Sequence, residues 1–368
     1  MIRGVYIHIP FCNSICSYCD FCKVLYKKEW AQEYLVALKK EIYEYYEGEE
    51  VKSIYVGGGT PSCLSIDDLK YLFNILEVFK KSENCEMTFE CNINDICSEL
   101  LVFLKENGVN RISIGIESFD KINLKFLNRK HDKKLINNNI KLCKKYFDNI
   151  NVDLIYALPT ETFNIFKKDL NSILKLNVPH ISTYSLMIEE HTILYNKKIK
   201  NIDEDDDYKM YKYICKKLSK KGYNHYEVSN FGLKGYESKH NLTYWSNQEY
   251  YGFGLGAHGY INKIRTENTR NFNKYIMGEF RFNELLVSIQ EEMENEIILG
   301  LRKLRGVNIV DFKNKFNTDI IVAFPNIKGL IKSKKKYLSY KKVDEEHKYI
   351  YIPENKIYVM NEIINMII

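Results

Sequence analysis

The sequence predicts an α/β fold organised around a parallel sheet, and three observations carry that expectation. Short apolar or β-branched runs alternate with longer amphipathic stretches from about residue 5 to residue 187, the rhythm of strand and helix units. Six such units can be counted. The chemically unusual residues recur just after the strand-like runs, where ligands gather in parallel barrels and in doubly wound sheets alike.

The strand candidates are 5–9, 53–56, 86–90, 111–115, 151–155 and 180–186, and the amphipathic stretches between them, 29–46, 66–80, 96–107, 133–146 and 162–176, read as helices. Four cysteines follow the first strand, Gly57-Gly58-Gly59-Thr60-Pro61-Ser62 follows the second, and Glu90-Cys91-Asn92 closes the third. Glu117-Ser118-Phe119 follows the fourth, and Asp153 lies in the fifth, just before Ala157-Leu158-Pro159. The fold therefore predicts one face built from five separate turns. Further on, a lysine-rich helix at 205–221 leads to His240-Asn241-Leu242-Thr243-Tyr244-Trp245 and Gly252-Phe253-Gly254-Leu255-Gly256-Ala257-His258-Gly259. After Glu284 the character changes: a helix near 288–304, Phe312, Phe316 and a β-like 349–352 suggest a small helical, winged-helix-like appendage. The expected organisation is a core domain at 1–230, an associated segment at 231–284 carrying the two motifs, and the appendage at 285–368.

A chain of 368 residues has room for one large and one small domain. With 45% hydrophobic and 28% charged residues it sits in neither the disordered nor the membrane class, and no run approaches ~18 apolar residues. The opening Met-Ile-Arg-Gly-Val-Tyr-Ile-His lacks the parts of a signal peptide, so a cytoplasmic protein with reduced thiols is expected. The net charge of +6 is spread over lysines, dense only around Lys332 to Lys336, which favours a solvated surface over a nucleic-acid interface.

Cys12, Cys16 and Cys19 have the spacing CxxxCxxC, with Cys22 just beyond. Three thiolates so placed can wrap a cubic iron–sulfur cluster and leave one iron open to a cofactor or substrate. A zinc site usually wants four ligands and a disulfide framework wants an oxidising compartment, so both fit less well. The other six cysteines, Cys63, Cys85, Cys91, Cys97, Cys143 and Cys215, lack metal-ligand spacing. Gly57, Gly58 and Gly59 let a backbone approach a ligand, or simply make a tight turn; they lack both P-loop and dinucleotide signatures. Glu90, Glu117, Arg129 and Asp153 are either structural ion pairs or the polar groups that hold a zwitterionic, ribose-bearing ligand. His240 and His258 lie in glycine- and aromatic-rich loops, where an imidazole could ligate haem iron or satisfy a backbone group. His8, beside the cysteines, reads as packing or as hydrogen bonding around a cluster.

Taken together, Tyr6-Ile7-His8-Ile9-Pro10-Phe11-Cys12, Cys16, Tyr18-Cys19-Asp20-Phe21, Gly57 to Ser62, Asn110-Arg111-Ile112-Ser113-Ile114-Gly115 and His240-Asn241-x2-Tyr244-Trp245 resemble a known family. They are similar to the radical S-adenosylmethionine (SAM) proteins of the oxygen-independent coproporphyrinogen III oxidase-like family, in its haem-chaperone branch. The resemblance covers about residues 2–305 and, more weakly, the tail.

It implies a partial (β/α)6, TIM-like barrel with Cys12, Cys16 and Cys19 on a 4Fe-4S cluster whose fourth iron takes SAM. Tyr6, Tyr18, Gly58, Gly59, Thr60, Glu90, Glu117, Arg129 and Asp153 are the implied SAM contacts, and His240 an implied haem contact. It further implies an electron donor such as a flavodoxin or ferredoxin, and haem that is bound and passed to an acceptor protein. Coproporphyrinogen oxidation is the alternative activity and is not expected of that branch. Where the family carries glutamine this chain has Glu117, adding a carboxylate beside the methionyl group, and Ala157 and Ile93 replace the family's usual glycine and proline.

Overall fold

Period-two alternation gives each barrel strand an apolar and a polar face. In β1 (Gly4–Ile9) Val5, Ile7 and Ile9 are fully buried beneath the helices, while Tyr6 and His8 point the other way, into the interior. The pattern repeats in β2 (Glu50–Gly58), β3 (Lys80–Asn92), β4 (Arg111–Glu117), β5 (Ile150–Tyr156) and β6 (His180–Ser185). Ile112, Ile114 and Ile116 face the helices, whereas Arg111, Ser113 and Gly115 line an interior cavity. Burying an aliphatic side chain of this kind contributes about 1.5–3 kcal/mol. The computed structural model describes residues 4–368; residues 1–3, the start of the expected first domain, lie outside the described residues.

β1 to β6 pair in sequential order, every neighbour parallel. A doubly wound sheet would reverse its order at a switch point, so this winding is that of a partial barrel. Helices Lys28–Tyr45, Ile66–Leu76, Ser98–Glu106, Lys133–Cys143 and Phe163–Lys175 cover its outside. Their apolar stripes recur at helical spacing, as with Ala31, Leu35, Leu38 and Ile42. Ser65, Asp132 and Thr162 cap three of them by accepting a backbone N–H.

Both ends of the barrel sheet are extended. A hairpin of β7 (Asn224–Glu227) and β8 (Asn230–Gly232) adds beside β6. On the other side β9 (Tyr250–Phe253) lies parallel to β1, Gly4 opposite Tyr250, and is followed by antiparallel β10 (His258–Ile261), β11 (Ile264–Asn268) and β12 (Arg281–Leu286). The fully buried Glu41 fastens this extension to the first helix, accepting from the Gly254 N–H, Asn268 and Tyr275.

Three expectations change. The second helix stops at Leu76, and β3 starts at Lys80, before the expected 86, because its polar first residues carry no apolar signal yet pair with Glu50 and Val51. His240 lies on a short helix, Lys239–Trp245, capped by Ser238, and His258 opens a strand, so neither is in a loop. The C-terminal part runs helix (Ile289–Gly300), strand (Val307–Asn308), helix (Ile309–Phe316), short helices Ile320–Ala323 and Asn326–Lys332, and a hairpin of Ser339–Lys342 and Lys348–Tyr351. Its three strands form one antiparallel sheet, and Ile297, Leu301, Phe312 and Ile350 belong to the same apolar core as the barrel.

Candidate functional site

The cysteine segment is held as a loop across the C-terminal mouth of the barrel by backbone bonds. The Gly59 N–H donates to the Ile9 carbonyl over 2.8 Å and that of Thr60 to Phe11 over 2.7 Å; the Ser17 N–H donates to Leu127 over 3.1 Å. A Cβ on Gly59 would lie 2.7 Å from the Phe11 oxygen, and one on Gly58, at φ +110°, would strike the His8 ring. The glycines are therefore needed so that the end of β2 can pack on the cysteine loop, and Gly58 and Gly59 still line the cavity below it.

That cavity, about 400 Å³, gathers Cys12, Cys16, Cys19, Tyr18, Gly58, Gly59, Thr60, Glu90, Glu117, Arg129 and Asp153. The five turns thus meet on one face. Donors point at two of the sulfurs: the Thr60 hydroxyl lies 3.5 Å from Cys12 Sγ and the Arg129 guanidinium 3.7 Å from Cys16 Sγ. Burial pushes the Cys12 thiol up to about 11 and that of Cys19 upward, so thiolate formation on metal binding would release protons.

Glu90 accepts from the Tyr55 hydroxyl at 2.5 Å and from the Gly58 N–H at 3.0 Å. Burial, opposed by the Tyr55 bond and reinforced by Asp153, raises its carboxyl from 4.5 to about 7. A raised carboxyl favours the fold while protonated, so this contribution is complete below pH 4.5 and is lost as the pH rises through 7. The metal-free protein should lose on the order of 3 kcal/mol over that window relative to Glu90→Gln, measured by urea unfolding at a series of pH values. Equal pH slopes for the two proteins would refute this.

Glu117 stands at φ 62°, a left-handed conformation that costs a non-glycine residue about 1–3 kcal/mol, where the register of β4 against β5 shifts by a bulge. Its Oε1 accepts from the Tyr18 hydroxyl at 2.9 Å and its Oε2 lies 3.0 Å from the Arg129 guanidinium, both side chains under a tenth exposed. Arg129 also donates to the Gly115 carbonyl. The carboxylate is thus matched by a cation, the structural ion pair that was one of the two readings of these residues. Beneath it, the Ser118 hydroxyl donates to Asp169, as does the Phe119 N–H at 3.0 Å.

Several cavity residues escaped the sequence reading. Arg111 is only 2% exposed, its Nε has no partner among the described residues, and it lines the cavity with Tyr55, Ser113, Asn151 and Ser182. The signal was present as polar residues at alternate strand positions. Asn151 Nδ2 donates to Asp153 Oδ1 at 2.8 Å and to Ser113 Oγ at 2.9 Å. A buried guanidinium with a spare N–H, beside carboxylates and loop thiols, suits a ligand that carries both charges and hydroxyl groups.

Tyr6 and His240 stand elsewhere. The Tyr6 hydroxyl is bonded to His8 Nδ1 at 3.0 Å, and Tyr6 lines a second cavity with Cys22. His240 is 1% exposed, with Nδ1 2.9 Å from Ser53 Oγ and Nε2 2.7 Å from the Tyr244 hydroxyl. Burial, helped by Arg111, lowers it to about 3, so it stays neutral, and neither nitrogen is free for iron in this conformation. His240→Ala should cost about 1–3 kcal/mol by removing the partner of the Tyr244 hydroxyl from the interior and leave any histidine-ligated haem spectrum in place; loss of that spectrum without loss of stability would contradict the placement.

With this geometry established, similarity to known proteins is informative. The Radical SAM superfamily model matches residues 6–173, from β1 through the fifth barrel helix. The heme chaperone HemW of Lactococcus lactis subsp. lactis (strain IL1403) is 43% identical over 323 residues, 85% of each chain. The chain belongs to the HemW family. The heme chaperones HemW of Bacillus subtilis (strain 168) and Escherichia coli (strain K12) are 38% and 34% identical, covering 90% and 84% of this chain and 93% and 85% of theirs. Coproporphyrinogen III oxidase (HemN) from Escherichia coli superposes with a TM-score of 0.85 at 20% identity, over 99% of this chain and 89% of that one. At that identity it establishes the shared fold. Membership of the radical SAM superfamily implies a 4Fe-4S cluster and SAM. Among the described residues, no helix is long and apolar enough to cross a membrane.

Proposed function

We propose that the chain is a cytoplasmic haem chaperone, which binds haem and passes it to an acceptor protein. What carries this reading is the name heme chaperone HemW borne by relatives that align over most of both chains. Ten free cysteines suit a reducing compartment.

Cys12, Cys16 and Cys19 hold a 4Fe-4S cluster, and Tyr18, Gly58, Gly59, Thr60, Glu90, Glu117, Arg129 and Asp153 surround SAM. The bound cluster supplies one-electron chemistry toward SAM, with electrons from a donor of flavodoxin or ferredoxin type. The chain's own residues do the positioning. Glu90, ionised on ligand binding, offers a carboxylate to the amino group; Arg129 offers its guanidinium to the carboxylate, in competition with Glu117; and Asp153, braced by Asn151, accepts from ribose hydroxyls.

The test is anaerobic purification, reconstitution with iron and sulfide, and titration with haem. A stoichiometric haem spectrum without consumption of coproporphyrinogen is expected. Absence of haem binding, or decarboxylation of coproporphyrinogen on reduction with SAM, would overturn the reading in favour of the oxidase.

A further inference from the structure

We infer that the second cavity is the haem site, with His258 ligating the iron and Arg265 and Arg270 meeting the two propionates. The inference rests on the haem-chaperone reading and goes beyond it by naming the place. If SAM and the cluster occupy the first cavity, haem needs another compartment. The second has a volume of about 480 Å³, within the ~300–1,000 Å³ of small-molecule sites, and shares Gly58, Phe21 and Glu90 with the first as a partition.

Its walls suit a flat, apolar macrocycle. Tyr244, Tyr250 and Tyr260 line it, and Tyr250 stands opposite Tyr260 where β9 meets β10. His258 and Tyr260 share one face of β10, and Arg265 of β11 is the direct neighbour of Tyr260, its guanidinium 5.1 Å from that ring. An imidazole, an aromatic wall and a guanidinium are thereby set in one row. The row is rigidly placed: a Cβ on Gly252 would lie 1.8 Å from the His258 carbonyl oxygen, and the Asn268 N–H donates to the Ala257 carbonyl at 2.9 Å.

The donors are unspent. Among the described residues neither Arg265 nor Arg270 forms an ion pair with a carboxylate; Arg270 donates only to the Asp20 carbonyl, at 3.1 Å. Two guanidiniums without carboxylate partners match the two carboxylates that haem carries. His258 is exposed at the cavity, and no hydrogen bond engages its ring among the described residues. The rival ligands are engaged: His8 is bonded through Nδ1 to Tyr6 and through Nε2 to the Cys22 carbonyl at 2.7 Å, and both nitrogens of His240 are occupied. A proximal histidine is among the side chains that hold haem iron in proteins.

The experiment compares haem with iron-free protoporphyrin IX on the full, cluster-loaded chain and on two variants, His258→Ala and Arg265→Ala/Arg270→Ala. His258→Ala should abolish the histidine-type haem spectrum and weaken haem binding by at least about tenfold, the low end of what loss of even an outer partner costs a metal site. It should leave affinity for the iron-free porphyrin unchanged, which also reports that the variant is folded. The double arginine variant should weaken both porphyrins by roughly tenfold or more, since each charged hydrogen bond is worth about that factor. A His258→Ala protein with the wild-type spectrum and affinity, or one that weakens both porphyrins alike, overturns the site while the chaperone reading stands. A wild-type chain that binds no haem defeats both.

Discussion

Cys16→Ala should leave the protein without its cluster, iron falling from about four atoms per chain to near none after anaerobic reconstitution. Three sulfurs on one loop are the proposed anchors, and two of them cannot hold a cube whose remaining corners face a cavity. The loop is fixed independently of metal by its bonds to Ile9, Phe11 and Leu127, so the variant should keep its far-ultraviolet dichroism. Cys22→Ala is the matching control. Cys22 lines the second cavity, its sulfur 2.3 Å from where a Cβ on Gly256 would lie, and its removal should retain the full iron content and the brown absorbance. If Cys22→Ala lost iron as completely as Cys16→Ala, or if analysis found zinc in the wild type, the three-sulfur assignment would be wrong.

Arg129→Ala is expected to be the most destabilising change at the cavity, by about 3–5 kcal/mol, because it strands a buried carboxylate. Glu117 is held at φ 62° with Oε2 3.0 Å from the guanidinium, and its side chain is under a tenth exposed, so the carboxylate would stay out of water. The same guanidinium reaches Cys16 Sγ and the Gly115 carbonyl, so cluster retention should fall as well. Adding Glu117→Gln to Arg129→Ala removes the stranded charge and should restore part of the stability, a coupling that a double-mutant cycle in urea measures directly. Strict additivity of the two substitutions would show that the pair does not interact. By the same reasoning Glu117→Gln alone should free Arg129 and tighten SAM binding, whereas the native pair makes a bound carboxylate compete for its cation.

Particular residues show where sequence patterns suffice. All six barrel strands appear within a few residues of where apolar alternation places them, the exception being the polar start of β3 at Lys80. The helices that start after Ser65, Asp132 and Thr162 were legible from amphipathic periodicity, and the capping that fixes their first turns acts within three residues. The cysteine and glycine motifs were equally legible, since their chemistry lies in spacing along one loop. Tyr55, Arg111, Asn151 and Ser182 were overlooked because a polar residue between two apolar ones reads the same whether it faces water or a closed barrel. The surroundings of His240 were hidden for a related cause, and the choice between a haem ligand and a structural imidazole stayed open in the sequence: its partners, Ser53 on β2 and Tyr244 one helical turn on, become neighbours only when that helix docks against the barrel.

Local order in this chain therefore follows from short-range periodicity and from the limited conformations open to glycine and capping residues, which act over a few bonds. The enclosed polar face, the Glu117–Arg129 pair and the second cavity depend instead on which distant strands become neighbours. Gly4 beside Tyr250 creates one compartment, and Gly115 beside Asp153 creates the other. Such contacts pay their chain-closure entropy only in the assembled sheet, so no local pattern announces them.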